Sequence, residues 1–281
     1  MVYLNSLGMV CALGTDTATI LRNALAGDTA GMKMWEGVLP EGASSPFGWV
    51  ALEQSPDFSF RCEALLAAAA DQIATEIAGL KERFGAERIG AVIGTSNSTM
   101  EEFTLNPVLI DMAAPAEFLK RYLGLDGPAF VVSTACSSSA KVFASGRRLL
   151  ENGICDAVLV GGADSFSRVV ESGFFALESL SSTRSNPMSA NRCGINLGEG
   201  AALFIMTREP GPVALLGVGE SSDAHHLTAP HPEGRGAAAS MKAALADAGL
   251  TPDAVDYINF HGTGTVYNDK MESLAVGAVF G

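Results

Sequence analysis

The sequence predicts an α/β fold in which strands alternate with helices. Short apolar runs and longer Ala-rich stretches take turns along the chain, a pattern that calls for parallel crossovers. Several of the short runs are continuously apolar, Val158-Leu159-Val160 and Leu203-Phe204-Ile205 among them, as strands covered by helices on both faces are. With 48% hydrophobic and 17% charged residues over 281 positions, the chain has core material for one large domain or two fused smaller ones, and its composition is not that of a disordered protein.

In chain order, the apolar opening run predicts a strand at Val2–Val10, and the Leu- and Ala-containing stretch after it predicts a helix at Thr17–Ala26. A strand is expected at Trp49–Leu52. One long Ala-rich helix is expected over Glu63–Phe84, followed by the buried strand Ile89–Gly94. The helix Ala116–Tyr122 and the strand Phe130–Ser133 come next. Ser137–Asn152 reads as a helix of small residues, and Ala157–Gly161 and Ala201–Met206 as buried strands. The last elements are the strand Val213–Gly219, the Ala-rich helix Ala237–Ala248, the strand Asp256–Asn259 and the helix Asp269–Phe280.

Residues 67–95 and 237–263 follow one plan: an Ala-rich helix, an Ala-Gly-Leu exit, a short connection, an apolar strand and a Gly-Thr turn. Two ordinary α/β units with similar solutions would look alike too, but the shared Gly-Thr ending favours a duplication. The halves are then 1–207 and 213–281, with Arg208–Pro212 as a tight joint, and the second half is expected to be cut short.

A net charge of −13 and the lack of a basic run exclude nucleic-acid binding, and an acidic chain is repelled by anionic membranes. The five cysteines are scattered, with no Cys-x-x-Cys pair, so neither a disulfide framework nor a zinc site is expected. No apolar run reaches membrane-spanning length, and the N-terminus is a poor signal peptide, which suits a cytoplasmic protein. His225, His226 and His231 lie in a polar loop whose carboxylates, Asp223 and Glu233, lack clear ligand spacing, so no metal is expected there.

The candidate nucleophile is Cys136. An apolar strand runs through Ser133-Thr134-Ala135-Cys136 into a helix, which puts the thiol near a helix N-terminus. Backbone N–H groups and the helix dipole there stabilise a thiolate and can hold an oxyanion. Ala135, Ser137, Ser138 and Ser139 are small enough to leave room for a substrate chain. Cys11, Cys62, Cys155 and Cys193 read as buried small hydrophobes. His261 follows an apolar segment and opens a Gly-Thr-Gly-Thr loop, at a strand end where α/β folds present ligands. A satisfied core histidine is the alternative.

Ser133–Ser139, Gly161–Ser165, Asn196–Ala201 and His261–Thr265 together resemble, in order, the motif blocks of the elongating β-ketoacyl-acyl-carrier-protein synthases. The resemblance implies a thiolase-like fold of duplicated αβαβα layers, with the second repeat truncated here. It implies a decarboxylating Claisen condensation in fatty-acid or polyene-type chain elongation, with no cofactor. Cys136 would take the acyl group and His261 would stabilise the enolate formed from a malonyl thioester. Thr263 and Thr265 would contact the carrier's pantetheine arm, and Glu272 would support an active-site lysine. Met100, just before Glu101-Glu102, would gate the acyl pocket, with ordinary packing as the other reading. The partners implied are acyl- and malonyl-loaded acyl carrier protein. A homodimer or ketosynthase heterodimer, joined through Phe130–Ser133, is also implied. Arg61, Lys120 and Arg121 are candidates for carrier docking, with solvated surface charges as the alternative.

The family's Ser-x-Lys segment, second histidine block and Gly-Phe-Gly loop do not occur in these 281 residues, so condensation by this stretch alone is expected to fail. Arg192-Cys193-Gly194 stands where the family often has Arg-Asp-Gly. Two other classes compete. A non-catalytic chain-length-factor-like partner would lack the nucleophilic cysteine. A thiolase or initiating synthase would carry an Asn-based element in place of His261-Gly262-Thr263.

Overall fold

The computed structural model describes residues 1–37, 39–53, 55–101, 111–226 and 228–281. Contacts divide the chain into two compact units. The first comprises 1–34, 47–172 and 198–215, and the second comprises 35–46, 173–197 and 216–281.

The first unit is built on a mixed six-stranded sheet. Its strands are β1 (Val2–Cys11), β4 (Ile89–Gly94), β5 (Ala129–Val132), β6 (Ala157–Asp164), β7 (Gly200–Thr207) and β8 (Val213–Leu215), in the order β5-β4-β6-β7-β1-β8. β5, β4 and β6 run parallel, while β7 is antiparallel to both β6 and β1. A separate two-stranded ribbon pairs β2 (Met32–Trp35) with β3 (Ser45–Gly48).

Alternation along the strands explains the layers. Ile89, Ala91 and Ile93 of β4, Ala157 and Leu159 of β6, and Leu203 and Ile205 of β7 bury one face against α2 (Arg61–Asp71), α3 (Ala74–Phe84) and α4 (Ala114–Leu123). Val92, Val158, Val160 and Met206 bury the other face against Val142 and Leu150 of α5 (Ser138–Glu151). Helices on both faces are what continuously apolar strands require. α1 (Thr17–Leu25) is capped by Asp16, whose carboxylate accepts from Thr19 N at 2.8 Å.

Two sequence expectations change here for a visible reason. The helix expected over Glu63–Phe84 breaks between α2 and α3. The amide of Gln72, the cap of α2, ties the break to β1, donating to Met9 O at 3.0 Å and accepting from Met9 N at 3.3 Å while also donating to Ala68 O of α2 at 3.0 Å, and Ile73 takes φ −122°. Trp49–Leu52 joins no ladder, and the chain turns at Ala51, where Leu52 N donates to Val50 O at 2.8 Å. Side chains take much of the rest of its backbone: Val50 N donates to Glu199 Oε1 at 3.1 Å, and Arg61 donates to Val50 O and Leu52 O at 2.9 and 2.5 Å. α6 (Arg168–Ala176) and the β2–β3 ribbon were not foreseen.

In the second unit, α7 (Arg235–Ala248) packs on α8 (Val266–Phe280). Ladder pairing of the expected strand Val213–Gly219 stops at Leu215. Beyond it, a Cβ on Gly219 would fall 2.0 Å from Ser240 O of α7. Asp256–Asn259 pairs with no strand among the described residues.

Candidate active site

Cys136 is exposed and lies in the turn between β5 and α5, one residue before the helix cap Ser137. Ala135 holds φ +54°, a left-handed conformation uncommon outside glycine, and it re-aims the chain from strand to helix. Serine hydroxyls brace this turn. Ser138 Oγ accepts from Thr134 N at 2.8 Å and donates to Ala135 O at 2.6 Å, and Ser137 Oγ donates to Thr134 O at 2.9 Å. Ser138 is therefore a buried strut; the sequence reading had made it one of the small residues leaving room for a substrate chain.

The helix start is seated on bare backbone. A Cβ on Gly94, at the end of β4, would lie 2.5 Å from the Ser138 carbonyl carbon and Ser139 N, and one on Gly162 of β6 would lie 2.0 Å from Ser139 Oγ. Both positions must lack a side chain for α5 to approach the sheet.

The loop after β4 lies beside this turn, with Ser96 Oγ donating to Ala135 O at 3.3 Å. Asp164, the last residue of β6, organises the loop. Its Oδ1 accepts from Thr95 Oγ1, Ser96 N and Asn97 N at 2.7, 2.8 and 3.1 Å. Met100 lies in this loop, half-buried, with its N–H donating to Asn97 O at 2.9 Å. Glu102, cited beside it, lies outside the described residues. The Glu101 carboxylate accepts from Cys62 N at 2.9 Å and Ser165 Oγ at 3.0 Å, and burial pushes its pKa up.

Cys62 and Cys155 match the expectation of buried thiols, and burial raises the pKa of each, with nearby carboxylates led by Asp164 adding to it at Cys62. Cys193 departs from that expectation. It is exposed, 3.0 Å from Ser181 Oγ, because it lies in a loop of the second unit and not in a core. Arg61 is corrected as well. It is 8% exposed and bonded to the fully buried Glu199 carboxylate at 2.7 Å, with its guanidinium 5.0 Å from the Trp49 ring, so it cannot meet a carrier protein. Lys120 is half-occupied by the carbonyls of Asp126 and Gly127 at 3.3 and 3.1 Å, while Arg121 stays exposed.

The second unit gathers His261, Thr263, Thr265 and Glu272. Glu272 is buried and accepts from the backbone N–H groups of His261 and Gly262 at 2.5 and 2.9 Å, which fixes the backbone that carries the imidazole. Gly262 and Gly264 take φ +58° and +73°. The Thr263 and Thr265 hydroxyls are paired at 2.8 Å, and Thr265 is the cap of α8. Asp269, in the first turn of α8, accepts from Gly264 N at 3.1 Å and Met188 N at 2.7 Å, and Arg192 approaches it at 3.7 Å. From sequence, Asp164 is marked only as part of the Gly161–Ser165 block, and Asp269 is given no role in the site. Each is an acid next to a Gly-rich motif, and that adjacency was the available signal. Among the described residues no cluster of His, Cys, Asp and Glu could hold a metal ion, and no helix is long and apolar enough to cross a membrane.

A cysteine presented at a strand-to-helix turn of a layered, mixed α/β sheet is the arrangement of the thiolase-like class, and the comparisons place the chain in it. The family model described as the β-ketoacyl synthase N-terminal domain matches residues 61–210, and that of the C-terminal domain matches 213–281. Nodulation protein E of Rhizobium leguminosarum bv. trifolii is 33% identical over all of this chain and 77% of its own length. A 3-oxoacyl-[acyl-carrier-protein] synthase 2 of Staphylococcus aureus is 30% identical over 70% of this chain and 56% of its own length. One chain of a ketosynthase–chain length factor complex from Xenorhabdus doucetiae superposes with a TM-score of 0.94 at 43% identity, covering all of this chain and 76% of that one. The ishigamide ketosynthase/chain length factor gives 0.87 at 26% identity, covering all of this chain and 77% of its own. The chain belongs to the β-ketoacyl synthase family.

Proposed function

We propose that the protein is a β-ketoacyl-acyl-carrier-protein synthase that elongates acyl chains by decarboxylative Claisen condensation. The observation that carries this reading is the exposed Cys136 thiol at the braced turn before α5. Its thiolate attacks the carbonyl of an acyl-carrier thioester, and the carrier's pantetheine thiol leaves with a proton. The developing oxyanion is held by the Cys136 backbone N–H, at a helix start whose dipole favours negative charge. A malonyl-carrier thioester then loses carbon dioxide, and the electron pair of the broken carbon–carbon bond becomes an enolate. His261 donates to the enolate oxygen. The enolate carbon attacks the acyl-Cys136 carbonyl and expels the thiolate, which regenerates the nucleophile.

In this reading Thr263 and Thr265 bind the pantetheine arm, Met100 borders the acyl chain, Glu272 holds the His261 backbone in place, and Arg121 meets the acidic carrier. The halves are 1–207 and 213–281. A chain-length-factor-like, non-catalytic role is the second reading, favoured by the solved complexes that pair a ketosynthase with such a factor. Cys136 favours the catalytic reading, since that role needs no nucleophile.

Incubation with an acyl carrier thioester followed by peptide mapping should find the acyl group on Cys136, with iodoacetamide blocking it. Cys193 is the internal control, being equally exposed but away from a helix start. Acylation of Cys193 in preference to Cys136, or of neither, would refute the catalytic reading.

A further inference from the structure

We propose that Asn97 is a specificity residue whose side-chain carbonyl accepts a hydrogen bond from a hydroxyl on the acyl chain carried by Cys136. This rests on the synthase reading and adds the substrate class.

Asn97 lies in the loop that leaves β4 toward the nucleophile turn. Its neighbour Ser96 donates to Ala135 O at 3.3 Å, and Ala135 immediately precedes Cys136. The loop is closely held: Asp164 fixes the backbone at Ser96 and Asn97, and Ser98, in the left-handed region at φ +53°, donates from its hydroxyl to Asp111 O at 2.7 Å. Buried residues here are polar. Thr95, Asn97 and Ser98 are 0%, 3% and 0% exposed, where a pathway for a plain hydrocarbon would favour Leu, Ile or Phe.

Of these groups, the Asn97 Oδ1 lacks a hydrogen-bond partner. The orientation of the amide is settled by its other end. Nδ2 donates to Ser165 O at 2.8 Å, and a flip would set carbonyl against carbonyl, so Oδ1 is the end without a partner. A buried acceptor left unmatched is costly, and anchoring the loop requires only the Nδ2 end. An acyl chain that brings a hydroxyl to Oδ1 removes that cost and one without a donor does not, which is the basis on which buried polar sites discriminate.

The test is a competition for acylation of Cys136 among octanoyl carrier protein and octanoyl carriers with a hydroxyl at C3, C5 or C7, read by intact mass. At least one hydroxylated chain should load about tenfold faster than the plain chain, and the Asn97→Leu variant should lose that ratio. The ratio survives partial misfolding of the variant, because a smaller active fraction lowers all four rates alike. Equal loading of all four chains by the wild-type protein would overturn the proposal, and so would a preference that persists in Asn97→Leu; the acceptor would then be met by a buried water. Plain loading without discrimination leaves the synthase reading intact, whereas no acylation of Cys136 by any chain defeats both.

Discussion

A single carboxyl sets a pH dependence. Glu171 of α6 is 5% exposed, and burial pushes its pKa up to about 7 from the usual 4.5. In the unfolded chain this carboxyl ionises near pH 4.5, while in the folded protein it stays protonated to about 7, so the unfolded state binds fewer protons in between. Stability associated with Glu171 is therefore present at acid pH, falls as pH rises from about 4.5 to 7, and levels off above that, by about 3 kcal/mol at most. Denaturation midpoints measured across this range should decline for the wild-type protein and decline less for Glu171→Gln. Parallel curves would show that Glu171 ionises normally. The same scale explains why only some of the site could be read from the sequence. Cys136 is marked by its neighbours in the chain, whereas Asn97 owes its character to Ser165 and Asp164, 68 and 67 residues away.

At the scale of elements, Arg61 joins the start of α2 to the residue before β7 and to the Val50–Leu52 segment. Replacing it with Ala leaves the Glu199 carboxylate buried without its counter-charge, which costs about 3–5 kcal/mol. Urea denaturation should show that loss; a change under about 1 kcal/mol would mean that water reaches Glu199 in the variant. Arg61 also shows where element prediction fails. Trp49–Leu52 has strand composition, but the Arg61 guanidinium, 9 and 11 residues on, takes the carbonyls a ladder would have used. Ile89–Gly94 was legible to the residue, because a run buried on both faces leaves no other structure available. The Gln72 break was not, since Gln is a good helix former and its amide's bonds to Met9 of β1 join residues 63 apart.

For the whole molecule, β5 ends the sheet among the described residues. It pairs with β4 on one side, and Phe130 is 37% exposed. An apolar edge strand of this kind invites pairing with another chain. We predict a dimer, either of two copies or with a ketosynthase-like partner, closed by β5 against its counterpart across a two-fold axis. Light scattering at micromolar concentration should give a mass above that of one chain, and Phe130→Lys should lower it; a monomeric wild-type protein would count against the interface. The layering itself was readable from unbroken runs such as Val158-Leu159-Val160, but the edge position of β5 depends on strand order, which composition does not encode. The two glycines beneath the start of α5 lead to a different expectation, about inheritance. A methyl group at Gly94 or Gly162 would lift the helix and carry the sulfur with it, so the smallest substitutions should be among the most damaging in this protein. Drift in its descendants should then spare two featureless positions while freely altering larger residues nearby.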